Sequence, residues 1–356
     1  MDPLAHTLFG AAMAETGLKK CSRYATATLL IGANLPDIDA VAMLWGEDIS
    51  LYIRRGWSHG VLAMVVLPVV LVGGIWLWHR WRNRRRPDAP PVHWPWLVAI
   101  SFIAVWSHPL LDWLNTYGIR LLMPFDDTWF YGDTLFIIDP WVWLLAAAGV
   151  VLARSASRPL WAGWVVLGGL TSGLILTSDL VSGGVKSLWL VGLAVIVTLR
   201  WRQPSPALAQ RVAQVSFAAL VMYICMAYGL ARVAEHAWAS EGGAATQVQA
   251  NPIPGIPSAH RLVVVHEDHY QIVSADGDVQ QIPREPPNAI VQQAMADPGI
   301  RGFIYWSRFL YWDVDESTDH WLVTFRDLRY SMPGEAPAGI GYAEVRVPKQ
   351  RGEAAH

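Results

Sequence analysis

The sequence is short of charge. Only 16% of its 356 residues are Asp, Glu, Lys or Arg, against about 25% in an average soluble domain. Those charges nearly cancel, to a formal net charge of −2, which excludes the basic surface of a nucleic-acid binder. Cysteine is scarcer still. Cys21 and Cys225 lie far apart, so neither a disulfide framework nor a zinc site built from cysteine pairs is available. No phosphate-cradling glycine loop is present, and no repeat of fixed period. The first residues lack the basic start of a signal peptide.

What is present is apolar surface, unevenly spread: 53% of the chain is hydrophobic, with 20 Trp. Residues 61–78, 159–178 and 212–231 carry no charge. Each is long enough to cross a hydrocarbon core of roughly 30 Å at about 1.5 Å per residue. Shorter apolar runs occupy 94–107, 141–153 and 187–199. The first extends to Leu111 if His108 is admitted. The other two need interfacial Trp141, Trp143, Trp189 and Trp201 to span. Segments 3–16 and 24–36 are short and rich in small residues, and read as a helical hairpin packed inside the bundle. The fold class is therefore an all-α polytopic membrane bundle of about eight hydrophobic helices. A small C-terminal extracytoplasmic α+β or β domain follows it.

The basic residues orient this bundle. Lys19, Lys20, Arg23, Arg80, Arg82, Arg84, Arg85, Arg86, Arg154, Arg158, Arg200, Arg202 and Arg211 fall in one set of alternate loops. Arg54, Arg55, Arg120 and Lys186 fall in the other. Thirteen against four marks the first side as cytoplasmic, and eight crossings put both termini outside. The chain reads as a multi-pass protein of the bacterial inner membrane.

Composition changes after Ala239. We divide the chain into a helical membrane domain at 1–236, a Gly/Pro/Ala-rich linker at 237–258 and an outer domain at 259–350. The outer domain alternates as strands do, with a hairpin signal at Asp276-Gly277. Further strands are expected at 303–312, 320–326 and 342–347, a short helix at 288–296 and a frayed tail after 348. His260, His266, His269 and His320 read as surface or strand histidines.

Ionisable groups are costly in apolar segments and are functional candidates there. They cluster in four blocks: Asp2 and His6; Asp37 and Asp39; Arg54, Arg55 and His59; His108, Asp112 and Asn115. His108 and Asp112 share one helix face, with Cβ atoms roughly 5–6 Å apart. Imidazole and carboxylate so placed can clamp zinc, manganese or iron, or simply hydrogen-bond each other in the core. Asp2 and His6 repeat the spacing, with Asp2 also a natural cap before Pro3. Asp37 and Asp39 suit an oxygen-ligated metal position, or the capping of a following helix. Arg55 is a phosphate fork or a snorkelling interfacial cation. The start of segment one, end of two, start of three and end of four all lie at the extracytoplasmic side. The four blocks therefore meet at one membrane level, which scattered caps have no need to do.

The blocks MDPLAH, NLPDID, RRGWSH and SHPLLDWLNTYG together resemble the YdjM-like family of inner-membrane metal-dependent hydrolases. That family shows an initial Asp with a nearby His, then PDID, HRGxTH and SHxLLD followed by T-x-G. The stretch from Pro124 to Pro140 is also similar. The resemblance covers about residues 1–200. Arg54 stands where the family has its first His, and Ser58 where it has Thr, so no ligand role passes to position 54. The family is in turn distantly similar to zinc-dependent phospholipase C and single-strand nucleases. By that resemblance Asp37, His59, His108 and Asp112 bind one zinc. His6 binds a second, with Asp112 bridging and Asp2 a further candidate; manganese is the alternative metal.

The function expected is a membrane-embedded hydrolase of a phosphoester in a lipid or lipid-linked substrate. In it Asp39 or Asp37 handles the water proton, and Arg55 and Asn115 touch substrate. No nucleic-acid partner is expected, and the outer domain is free for an extracytoplasmic partner. The alternatives are an ion transporter, which an inverted repeat would support and none is visible, and a non-catalytic metal-binding scaffold or sensor.

Overall fold

The structure is a computed structural model that describes residues 1–83, 91–241, 245–336 and 339–349. Arg84, Arg85 and Arg86 of the basic loop, and the tail 350–356, lie outside the described residues.

The first half is helical. Its elements are α1 (Pro3–Glu15), α2 (Ala25–Gly32), a 3-10 stretch (Leu35–Trp45), α3 (Glu47–Ile53), α4 (Val61–Asn83) and α5 (Trp94–Trp113). After a long connection come α6 (Pro140–Arg154), α7 (Arg158–Thr177), α8 (Gly183–Trp201) and α9 (Pro206–Glu241). All eight apolar segments are helical, as expected. Six stretches are long and apolar enough to cross: Ala25–Trp45, Val61–Arg82, Trp94–Trp113, Arg158–Thr177, Gly183–Trp201 and Pro206–Ser240. With 13 and 15 residues, α1 and α6 reach only about 20–22 Å.

Helices α1 and α6 run side by side in the same direction. At their starts the Trp143 indole N–H donates to the Asp2 carboxylate (3.1 Å). At their ends Arg154 Nε donates to Glu15 (2.6 Å), which also pairs with Lys19. Most of α1 is buried, whereas α7 buries only Thr171 and Ile175. The apolar residues of α7 thus face outward, as lipid contact requires, and α1 sits inside. Asp139 caps α6 through the N–H groups of Trp141 and Val142 and accepts from Tyr223 of α9 (2.7 Å). Gly32 lets α2 press on α5: a Cβ there would stand 2.7 Å from the Cβ of Ala104.

The chain forms two compact units. One comprises Met1–Ile38, Arg55–Ala234 and Ala250–His260; the other comprises Asp39–Arg54, Glu235–Gln249 and Arg261–His356. The second unit therefore recruits residues 39–54 from the N-terminal half. There Asp48 accepts from the Phe303 N–H (3.0 Å) and Tyr52 packs on Tyr305 (5.2 Å).

The strands are β1 (Gln247–Ile253), β2 (Ile256–Val265), β3 (His269–Val273), β4 (Val279–Pro283), β5 (Leu310–Glu316), β6 (His320–Asp327) and β7 (Tyr342–Pro348). They build two sheets, in the orders β1-β2-β3-β4 and β5-β6-β7. The β3–β4 hairpin turns where Asp276-Gly277 is expected to turn it, with Gly277 at φ +94°. Two short helices, α10 (Ala289–Met295) and α11 (Arg301–Trp306), precede β5.

Two expectations fail here. The stretch 237–258 is not a linker: its described residues carry the end of α9, all of β1 and the start of β2. Pro and Gly there mark the β1–β2 turn, at Gly255 with φ +72°, rather than a flexible tether. The aromatic run 303–312 is not one strand either. Phe303 and Trp306, three apart, are both buried from α11, and the strand starts only at Leu310.

Candidate metal centre

Each block reaches the centre by a local device. Asp2 caps α1 by accepting from the Ala5 N–H (3.0 Å), which puts His6 in the first turns. Asp37 lies in the 3-10 stretch that follows α2. His59 is on the loop entering α4, which is pinned where the Val61 N–H donates to Leu121 O (2.8 Å). Gly60 beside it touches the chain so closely that a Cβ would lie 2.2 Å from Met123 O. His108 and Asp112 stand one turn apart on α5.

These devices converge. One ligand atom from each of Asp37, His59, His108 and Asp112 lies within 4.8 Å of all the others. His59 Nε2 is 3.2 Å from Asp112 Oδ2, and His108 Nε2 is 3.7 Å from the same oxygen and 3.6 Å from Asp37 Oδ1. Ligands bonded to zinc at about 2.0–2.2 Å stand about 3.3–3.6 Å apart at a tetrahedral angle.

His108 supplies a direct test of fit. Its Nδ1 lies 2.7 Å from Ala33 O. A carbonyl only accepts, so Nδ1 carries the proton and donates. In the neutral ring Nε2 then presents a lone pair. That atom is fully buried without a hydrogen-bond partner and faces two carboxylates. Lone pair against carboxylate is repulsive, and 3.6–3.7 Å is too long for a shared proton. A cation between them resolves the conflict, and an imidazole held through its other nitrogen is the usual arrangement of a metal-bound histidine. The residues therefore fit a divalent ion.

Around this group lie His6, Arg55 and Asn115. His6 Nε2 is 3.1 Å from Asp112 Oδ1, and its ring stacks on His108 with centroids 3.7 Å apart. The amino group of Met1 also contacts Asp112. Arg55 is 2% exposed and grips Asp112 at both oxygens, with a hydrogen bond from Nη2 to Oδ1 (3.0 Å) and an ion-pair contact from Nε to Oδ2 (2.9 Å). Its Nη1 donates to Asn115 Oδ1 (2.8 Å), and its guanidinium lies over the Tyr117 ring at 4.3 Å. Arg55 has φ +54°, a left-handed conformation that costs a non-glycine residue about 1–2 kcal/mol. The Arg120 N–H holds it there by donating to Arg55 O (2.8 Å).

The YdjM inner membrane protein family matches residues 1–183. The chain belongs to that family. The YfhP C-terminal alpha/beta plait domain matches residues 289–340, which hold α10, α11, β5 and β6. The chain is also similar to "Uncharacterized protein YfhP" of Bacillus subtilis (strain 168), 23% identical over 309 residues, covering 86% of this chain and 78% of that protein. No solved structure matches it.

In this YdjM-family chain His6, Asp37, His59, His108 and Asp112 come together as expected of the blocks. Asp2 does not join them: its carboxylate caps α1 and holds the Trp143 indole. Arg55 and Asn115 were expected to face substrate. The guanidinium is instead turned inward onto Asp112, and Asn115 Oδ1 accepts from it, while Asn115 Nδ2 is buried without a partner. Asp39 belongs to the other compact unit and faces Arg54 (3.9 Å). The residue that replaces the family histidine thus meets an acid of its own unit.

Sequence reasoning missed three contributors. The carbonyl of Ala33 has no side-chain signal. Tyr117 reads as an ordinary aromatic. Gly56, Ser58 and Gly60 spell Gly-x-Ser-x-Gly, the spacing of a nucleophile elbow. That motif needs a strand before it and a helix after it. Here no strand precedes the turn, and Ser58 Oγ sits 3.0 Å from His59 Nδ1, where it orients the candidate ligand His59.

Proposed function

We propose that this chain is a metal-dependent hydrolase of the membrane, acting on a phosphoester of a lipid or lipid-linked substrate. The observation that carries this is the buried Nε2 of His108 between two carboxylates, with His59 completing the set. Asp37, His59, His108 and Asp112 would hold the ion, most suitably zinc, with manganese the alternative. When bound, the ion supplies Lewis-acid polarisation and brings the pKa of water toward neutrality. The chain's own groups do the rest. Ala33 O fixes the tautomer of His108. Arg55 aims Asp112 and balances its charge. Asp37, on the open side of the group, is placed to take a proton from water, and Asn115 Nδ2 offers a donor to a substrate oxygen.

Depth supports a lipid substrate. The 13 residues of α1 run from beside Asp112 to Glu15, next to the basic loop of Lys19 and Lys20. They measure about 20 Å of a roughly 30 Å core. If that loop is cytoplasmic, the ligand group lies about 10 Å below the opposite face, within reach of headgroup ester bonds. With α6 counted, seven helices cross after that loop, which puts the C-terminal unit outside the cytoplasm, open to a partner there.

The test is metal content of detergent-purified protein beside His108→Ala/Asp112→Ala, followed by a lipid phosphoester screen. Zinc or manganese at one or two equivalents, lost with turnover in the double variant, is the expected result. No bound metal after reconstitution overturns the reading. Metal without turnover on any ester would assign a scaffold or sensor instead.

A further inference from the structure

A cavity of about 310 Å³ opens between α1, α6, α7 and α8. Its wall includes Leu8, Trp143, Trp164, Gly168, Trp189 and Leu193. Trp161 and Ser172 also line it, and three of its four indoles have committed their N–H elsewhere. Trp143 donates to Asp2 (3.1 Å), Trp164 to Arg154 O (3.3 Å) and Trp189 to Ser172 Oγ (3.0 Å). The one threonine in the wall, Thr171, donates to Leu167 O of its own helix (2.9 Å). The lining therefore carries no charge, and most of what it shows an occupant is ring and aliphatic carbon.

We propose that this cavity binds one hydrocarbon chain of a membrane lipid. Its size falls at the low end of ligand sites, and an α-helix of about 10–12 Å diameter cannot enter it, which argues against a second copy or a partner helix. Two of its walls, α7 and α8, are candidate membrane spans whose apolar residues are mostly exposed, so acyl chains are the solvent at its mouth. The space exists because α7 has glycine there: a Cβ on Gly168 or Gly169 would meet nothing within 4 Å. Trp143 links the cavity to the metal centre, since one face of the residue lines the cavity and its N–H holds the cap of the helix that carries His6. Under the hydrolase reading the chain belongs to the substrate, but chain binding stands without turnover.

The test uses full-length protein in nanodiscs of phosphatidylethanolamine and phosphatidylglycerol, with a phosphatidylglycerol carrying a diazirine at mid-chain. Adducts are mapped by mass spectrometry after irradiation. Wild type is expected to carry adducts on Leu8 and Trp143, the inner wall. Gly168→Leu/Gly169→Leu fills the cavity and is expected to cut those adducts at least fivefold. Gly163→Leu, the same change on the same helix, also has open space but lies outside the lining, and is expected to leave them unchanged. His108→Ala/Asp112→Ala is expected to keep them, which separates this site from the hydrolase reading. Absence of inner-wall adducts in wild type, or their persistence in the filled variant, overturns the proposal. So do crosslinks from these residues to a second copy.

Discussion

Arg55 sets the sharpest expectation. Its guanidinium grips both oxygens of Asp112, at 2.9 and 3.0 Å, and both side chains are almost fully buried. Removing it leaves a buried carboxylate without its main counter-ion, which costs about 3–5 kcal/mol. At roughly 2–4 °C per kcal/mol for a unit of this size, metal-free Arg55→Ala should melt about 6–20 °C below wild type. A bound cation replaces the missing charge, so saturating zinc should recover much of this. By linkage, the variant should then bind zinc at least about tenfold tighter, or about 1.4 kcal/mol, because no guanidinium competes for Asp112. Zinc at about a hundred times its Kd already adds about 2.7 kcal/mol, so the two titrations are easily told apart. The assay is thermal unfolding in detergent, with chelator and across a zinc titration. Arg55→Gly is the internal control: it relieves the left-handed backbone at φ +54° and should regain about 1 kcal/mol over Ala. A variant that melts with wild type without metal, or that binds zinc more weakly, refutes the counter-ion argument.

Four further outcomes follow from the same geometry. Asp2→Ala should lose about 1 kcal/mol of helix capping while keeping its metal, as read by melting beside metal analysis. Gly60→Ala drives a Cβ to 2.2 Å from Met123 O and should displace His59, so metal content should fall even where the protein folds. Ser58→Ala should weaken metal binding about tenfold through His59 without abolishing it; an unchanged metal affinity with all turnover lost would revive the nucleophile elbow. In the C-terminal unit Arg329 is wholly buried and bonded to Asp327 at 2.7 Å, so Asp327→Ala should cost about 3–5 kcal/mol, seen as an earlier unfolding step with metal content intact.

The apolar segments were legible because a membrane span is a local property: length and hydropathy suffice. How far α1 and α6 reach was not, because their 13 and 15 residues had to be measured as helices. The 237–258 segment misled for a related reason. Gly and Pro mark turns and tethers alike, and only the pairing of β1 with β2 in one sheet distinguishes them. Strand and helix were likewise confused at 303–312, where a short aromatic run fits either period.

The sequence by itself determined which chemistry was possible. Ionisable residues are too costly in apolar helices to be scattered, so four short blocks named the candidate ligands. Only the tertiary structure decided which atoms face which. It turned Asp2 into a cap, Arg55 into the counter-ion of Asp112 and Asp39 toward Arg54 in another unit. Hydrogen-bond partners are set by packing between segments far apart in the chain, and a carboxylate carries no mark in sequence of whether a metal, a guanidinium or a helix N-terminus will reach it first.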